Sequence, residues 1–175
     1  MKALAKLTTK TPIGALYLIC DEEVLLAAGF SDFATLTKKL AEEDRMRVMR
    51  TAKATASRSN SEMQWLLDAV ADYFDGDIDA FDGLRVRQPG SAFSQKAWRA
   101  MRKIPSGKLI TYSQLAAKAG SPAAVRAAGT ACGRNAIAPI IPCHRIIRSD
   151  GSLGNYGYGV SKKSWLLRHE GAIEE

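Results

Sequence analysis

A chain of 175 residues can form one typical domain or two small ones, and 46% hydrophobic content supplies real cores and excludes extensive disorder. No stretch approaches the ~20 apolar residues of a membrane span, and the opening MKALAKLTTKTPIG has no apolar run of signal-peptide length, so a cytoplasmic protein without a membrane partner is expected. The formal charge of +7 is unevenly held: residues 1–88 carry 12 Lys+Arg against 14 Asp+Glu, and residues 89–175 carry 13 against 4. A boundary near Pro89 is therefore expected, with a positive field over the second domain that attracts polyanions such as nucleic acid.

The first strands are read at Ala3 to Thr9, Leu16 to Cys20 and Val24 to Ala28, joined by turns at Pro12–Gly14 and Asp21–Glu23, which makes a small antiparallel sheet. Ser31 is placed to cap a helix running to about Glu43, and Asn60 or Ser61 to cap a second helix bearing the stripe Met63, Leu66, Leu67, Val70 and Phe74 before Gly76. Between them RMRVMRTAKATASRSN has no apolar period and reads as a loop.

Residues 89–175 read as mostly helical. Phe93, Ala97, Trp98 and Met101 form one stripe that ends at Pro105 and Gly107. Thr111-Tyr112-Ser113-Gln114 is a capping-box pattern opening a short helix to Gly120, and Ser121 with Pro122 opens the next, so the pair suggests a helix-turn-helix. Ala123, Ala124, Ala127, Ala128, Gly129, Ala131 and Gly133 leave that second helix almost without long side chains, apart from Arg126 near its start and Arg134 and Asn135 at its exit. A major-groove reader needs long polar groups aimed at base edges; small side chains suit either tight core packing or close approach to a narrow minor groove.

Cys20, Cys132 and Cys143 are widely spaced, and His144 and His169 are the only histidines, which disfavours both a disulfide framework and a structural zinc site. Cys20 and Cys132 read as small buried apolar residues. Cys143 and His144 sit between Ile140-Ile141-Pro142 and Ile146-Ile147, where an imidazole could take the thiol proton, and from these residues alone nucleophilic chemistry and a structural cysteine stand level. Glu170 falls on the face of Leu166 and Leu167, so burial would demand a partner such as His144. The segment GSLGNYGYG, residues 151–159, lacks a P-loop lysine and reads as a loop approaching a flat ligand; no nucleotide cofactor is expected.

Pro142-Cys143-His144-Arg145-Ile146-Ile147 resembles the PCHR-V/I motif of the O6-alkylguanine-DNA alkyltransferases. The resemblance takes in GSAFSQKAWRAMRKIPSGKLITYSQLA from Gly90 to Ala116, then Arg126, Asn135 and Gly154 to Gly171, and the TPIGALYLICDEEVLLAAGF opening is similar to the family's first domain. It implies a ribonuclease-H-like α/β N-terminal domain of structural role over residues 1–88, and a mostly helical DNA-binding domain with a winged helix-turn-helix over residues 89–175. It implies further that Cys143 is the alkyl acceptor, that His144 activates it by relaying through water to Glu170, and that Asn135 supports the turn. Tyr112 would crowd the target phosphate and donate to guanine, and Arg126 would replace the flipped base. Ala127, Ala128, Gly129 and Arg134 would lie against DNA, and Tyr156 and Gly157 would close over the lesion.

The implied reaction is a single turnover on double-stranded alkylated DNA, without sequence specificity, cofactor or metal, by a monomer, with cooperative binding along DNA left open; O4-alkylthymine is a candidate second substrate. The four-cysteine zinc module of some relatives has no counterpart here. A damage-binding relative without transfer would lack the acceptor cysteine, a sequence-specific regulator would need a side-chain-rich recognition helix, and a Cys-His hydrolase would turn over repeatedly.

Overall fold

The computed structural model describes residues 3–51 and 60–174, and the chain divides into two compact units, Met1–Pro89 and Gly90–Glu175. In the first unit β1 (Ala5–Thr11), β2 (Gly14–Asp21) and β3 (Val24–Gly29) form an antiparallel meander, with a register shift at Ile19/Cys20. A fourth strand, β4 (Arg85–Val86), joins β3 in parallel, so the sheet is mixed where a purely antiparallel one was expected. Two residues, Arg85 and Val86, are too short a run to carry an alternation from which a strand can be read.

The helix expected from Ser31 to about Glu43 is two helices. α1 (Phe33–Thr37) is capped by Asp32, whose carboxylate accepts from the Thr35 amide at 2.8 Å, and the Ser31 hydroxyl has no hydrogen-bond partner among the described residues. α2 (Glu42–Thr51) starts at the end of that expected helix and runs from residue 45 into the sequence read as loop, of which residues 52–59 lie outside the described residues. Its logic is electrostatic. Glu42, Glu43 and Asp44 fill the first turn, Arg50 sits in the last, and Arg47 forks onto both carboxylate oxygens of Asp21 at 2.7 and 2.8 Å. Leu4, Ile19, Leu26, Ala27, Leu36, Leu40 and Val48 gather into the core that these helices share with the sheet.

α3 (Gln64–Asp75) follows a turn of 3-10 helix at Asn60–Met63; the expected cap by Asn60 or Ser61 falls outside the described side chains. Leu66, Val70 and Tyr73 are its buried positions, whereas Leu67 and Phe74 are half-buried, because Tyr73 stacks on Phe81 with ring centroids 4.3 Å apart. Gly76 ends the helix at φ +118°, a conformation only glycine adopts without strain.

The second unit is built on α4 (Ala92–Arg102), α5 (Tyr112–Lys118), α6 (Val125–Arg134) and α7 (Val160–His169), with the short strands β5 (Ile110–Thr111) and β6 (Ile146–Ile147) paired in parallel. Trp98 locks α4 to α6 by donating from its indole nitrogen to the Ala131 carbonyl at 2.9 Å. The capping box at Thr111 and Gln114 forms as the sequence suggests. Ser121 and Pro122 do not start α6: the Ala124 amide bonds back to the Ser121 carbonyl in a turn, and the helix begins at Val125 without a side-chain cap. Among the described residues no helix is long and apolar enough to cross a membrane.

Candidate active site

Parallel pairing of β5 with β6, Ile110 opposite Ile146 and Thr111 opposite Ile147, draws the start of α5 against the Cys143 segment and so places Tyr112 near the thiol. Cys143, His144 and Arg145 form a turn of 3-10 helix, closed by the Arg145 amide donating to the Pro142 carbonyl at 3.0 Å. This compact turn, instead of an extended strand, lets two neighbouring side chains serve one site. Asn135 holds the approach to it. Its side-chain amide donates to the Ile141 carbonyl at 2.8 Å and to Cys143 Sγ at 3.3 Å, and its Oδ1 accepts from the Ile137 amide at 3.0 Å.

Behind the thiol lies a buried ionic network. His144 Nε2 is 2.8 Å from Glu170 Oε1, and the Arg145 guanidinium grips the same carboxylate through Nε at 2.9 Å and Nη2 at 3.0 Å. Arg145 also donates to the Ile104 carbonyl at 2.5 Å and to Ser106 at 2.9 Å. Contact between His144 and Glu170 is direct, which corrects the expected water relay between them: 2.8 Å leaves no room for a solvent molecule. A carboxylate only accepts, so Nε2 carries the proton and Nδ1 is the basic nitrogen; Nδ1 has no hydrogen-bond partner among the described residues.

Burial lowers the His144 pKa, outweighing the Glu170 carboxylate, so the ring rests neutral. Burial acts to raise Glu170, but contact with His144 and then Arg145 overrides it and holds the carboxyl well below the usual range. Arg145 supplies the permanent charge that keeps this carboxylate ionised.

A second buried cation stands nearby. Lys163, fully buried on α7, donates to the Ile146 carbonyl at 2.6 Å and to the Leu153 carbonyl at 2.5 Å, tying β6 to the glycine-rich loop. Burial lowers its pKa, while charge on Cys143 and then Cys132 pulls the other way. Cys132, read as a small buried residue like Cys20, is only partly buried and lines the cavity into which Cys143 opens, and burial, then the Cys143 charge, pushes its thiol far up.

Cys143 opens into a cavity of about 900 Å³ whose lining includes Tyr112, Val125, Arg126, Gly129, Cys132, Gly133, Arg148 and Asp150, with Asn155, Tyr156 and Gly157 along one wall. Of the expected residues, Tyr112, Arg126, Gly129, Tyr156 and Gly157 therefore meet the thiol in one space, while Asn135, His144 and Glu170 lie buried behind it. Ala128 faces the wrong way for a DNA contact: it is fully buried, and its methyl belongs to the unit's core. Ala127 and Arg134 do not line the cavity, Ala127 being half-buried and Arg134 exposed.

Residues 92–172 match the family described as the 6-O-methylguanine DNA methyltransferase DNA-binding domain. A methylated-DNA–protein-cysteine methyltransferase of Salmonella typhimurium is 38% identical over 163 residues, 93% of this chain and 93% of the relative. The chain belongs to the methylated-DNA–protein-cysteine methyltransferase family. The relative of that name from Methanosarcina acetivorans is 36% identical over 93% of this chain and 96% of its own. Among solved structures, the O6-methylguanine methyltransferase of Mycobacterium tuberculosis superposes with a TM-score of 0.73 at 29% identity, covering 98% of this chain and 95% of that one. Mycobacterium tuberculosis OGT in complex with DNA gives the same score over 94% and 91% of the two chains. Mixed α/β content with a small sheet and several helices is thus the family's architecture.

Arg145 and Lys163 are the functional residues that sequence reasoning missed. Both were signalled. A buried Glu170 with one neutral imidazole is undercharged, and extending the inward stripe of Leu166, Leu167 and Glu170 back by one turn lands on Lys163.

The backbone crosses this network at one further point. Gly107 has φ +78°, and a Cβ there would stand 2.8 Å from the Glu170 carbonyl oxygen. Gly107→Ala is expected to destabilise the protein by about 1–3 kcal/mol through left-handed strain and crowding. Urea unfolding measures this, and an unchanged midpoint would show that the loop relaxes freely.

Proposed function

We propose that this protein repairs alkylated DNA by transferring the alkyl group from O6 of guanine to Cys143, which retains it. The observation that carries the reading is a thiol that opens into a cavity with ample room for a base, backed by the neutral His144 and the Glu170–Arg145 pair. The thiol proton passes through a water to Nδ1 of His144, and Glu170 stabilises the imidazolium so formed. Sulfur then attacks the alkyl carbon, the carbon–oxygen bond breaks, and guanine leaves with a proton restored to it. The product is a thioether with no activated carbonyl for water to attack, so each molecule reacts once, without cofactor or metal.

The second unit acts as a winged helix-turn-helix in which α5 and α6 are the two helices and α6 enters the minor groove; the first unit is a structural domain of ribonuclease-H-like kind. The target atom is inaccessible inside a duplex, so the nucleotide is flipped out at a cost of a few kcal/mol. Arg126, exposed at the start of α6 and on the cavity rim, fills the gap in the stack. Tyr112 donates to the guanine, and Tyr156 with Gly157 closes over it. Few long side chains on α6 leave binding independent of sequence and dominated by phosphates. The protein works in the cytoplasm as a monomer, and O4-alkylthymine is a second substrate.

The test mixes purified protein with an equimolar duplex carrying one O6-methylguanine and reads intact and peptide masses. One methyl on the Cys143 peptide, with no reaction of a second equivalent, is the expected result; an unmodified protein that holds the lesion duplex tightly would make this a damage binder. Arg126→Ala is expected to slow repair of duplex DNA about tenfold, equivalent to losing roughly 1.4 kcal/mol of the offset to flipping. Its rate with the free base O6-methylguanine stays unchanged. Equal losses on the two substrates would remove Arg126 from the flipping step.

A further inference from the structure

A second concavity, of about 570 Å³, lies in the same unit and shares no lining residue with the Cys143 cavity. Lys96 and Arg99 of α4 and Lys103 at its C-cap wall one side, Lys108 comes from the turn before β5, and Lys118 from the end of α5. All five are exposed, none has an ion-pair partner among the described residues, and no carboxylate lines the concavity. Its floor is apolar and rigid, with Ala100, Ile104 and Ala119 all buried.

Five converging cations repel one another, and a fold that needed them only for solubility would intersperse acids. Lys96, Arg99 and Lys103 recur at spacings of three and four on one helix face, so the charge is aligned along a groove. A row of phosphates satisfies such an array, and the counterions it releases supply the free energy.

We propose that this groove binds the phosphate backbone of a second DNA segment while the Cys143 cavity engages the duplex under repair. The idea rests on the DNA-binding reading above. It goes beyond it in making the protein two-sided: α6 and the cavity hold one duplex, and α4 with the end of α5 holds another segment. One molecule would then remain attached to neighbouring DNA while its reading face is vacated, which favours transfer between segments.

The experiment uses the full chain and two short duplexes, one labelled with a donor and carrying O6-methylguanine, the other undamaged and labelled with an acceptor. Wild-type protein is expected to bring the labels together at low salt. The triple variant K96Q/K103Q/K118Q abolishes that signal, yet methylates Cys143 from the lesion duplex at the wild-type rate, which also shows that it folds. For the undamaged duplex, the slope of log K against log salt becomes shallower by about 0.9 for every phosphate that is no longer neutralised. Absence of bridging by the wild type, or bridging retained by the variant, overturns the proposal. So does a parallel fall in bridging and transfer, which would assign the lysines to the lesion duplex. Absence of bridging together with binding of inorganic triphosphate that the triple variant loses would make the groove a small-polyphosphate site instead. Failure of Cys143 methylation in the wild type would count against the repair reading, and it is scored separately by mass.

Discussion

Glu170→Leu is expected to cost about 3–5 kcal/mol of stability and to stop alkyl transfer at Cys143, the cost being that of a buried charge stripped of its partner. The Arg145 guanidinium would keep the Ile104 carbonyl and Ser106, but no anion. Adding Arg145→Met should restore most of the stability, because an apolar pair of similar volume can replace a buried ion pair at little loss. Transfer should not return, since His144 would still lack the carboxylate that stabilises its protonated form. Chemical denaturation together with single-turnover rates separates the two effects, and recovery of the rate in the double variant would reduce Glu170 to a packing element.

The same network sets an acid limit. Glu170 has a folded pKa below its unfolded value of about 4.3, so its contribution is fully present above that value and is lost progressively as pH falls from there through the folded pKa. His144 is likewise lowered from about 6.5, so the unfolded chain takes up its proton first, and stability declines on acidification below about 6.5. A melting temperature that holds from pH 7 to 5 would show that His144 is already charged when folded.

How far this site could be read from the sequence depends on what each residue answers to. Cys143, Tyr112, Arg126 and Tyr156 sit in segments with local punctuation, a capping box, a proline turn and a glycine loop, so their elements could be placed, and the cavity collects them. Arg145 and Lys163 answer to tertiary burial: each looks like an ordinary surface cation until the carboxylate or carbonyl it serves is known. In the first unit α2 escaped because its helix is held by Arg47 on Asp21 and by acids at its N-terminus, with Val48 alone of its residues in the core cluster, and a search for apolar periodicity does not register charge. Ser121 and Pro122 erred the other way. They have the residue types of a helix start, but the turn they make delays α6 to Val125 and leaves Arg126 in its first turn, exposed on the cavity rim.

Cys143→Ala is expected to abolish transfer completely while leaving affinity for the lesion duplex nearly unchanged. The proposed DNA-facing groups, Arg126 and the surface of α6, lie apart from the sulfur, and removing one thiol takes away no positive charge. Cys132 cannot substitute. It lines the same cavity, but burial alone, the largest cause of its raised pKa, still keeps its thiol protonated once Cys143 is gone, and a neutral thiol is a poor nucleophile. Asn135 sharpens the contrast: its side-chain amide donates to Cys143 Sγ at 3.3 Å, whereas the charge of Lys163 acts on both thiols and does not separate them. Mass spectrometry of Cys143→Ala after incubation with an O6-methylguanine duplex should therefore find every cysteine unmodified, with gel-shift affinity intact. A methyl group on Cys132 would show that the cavity presents the alkyl carbon to either thiol, and that proton removal by His144 is not what selects the acceptor.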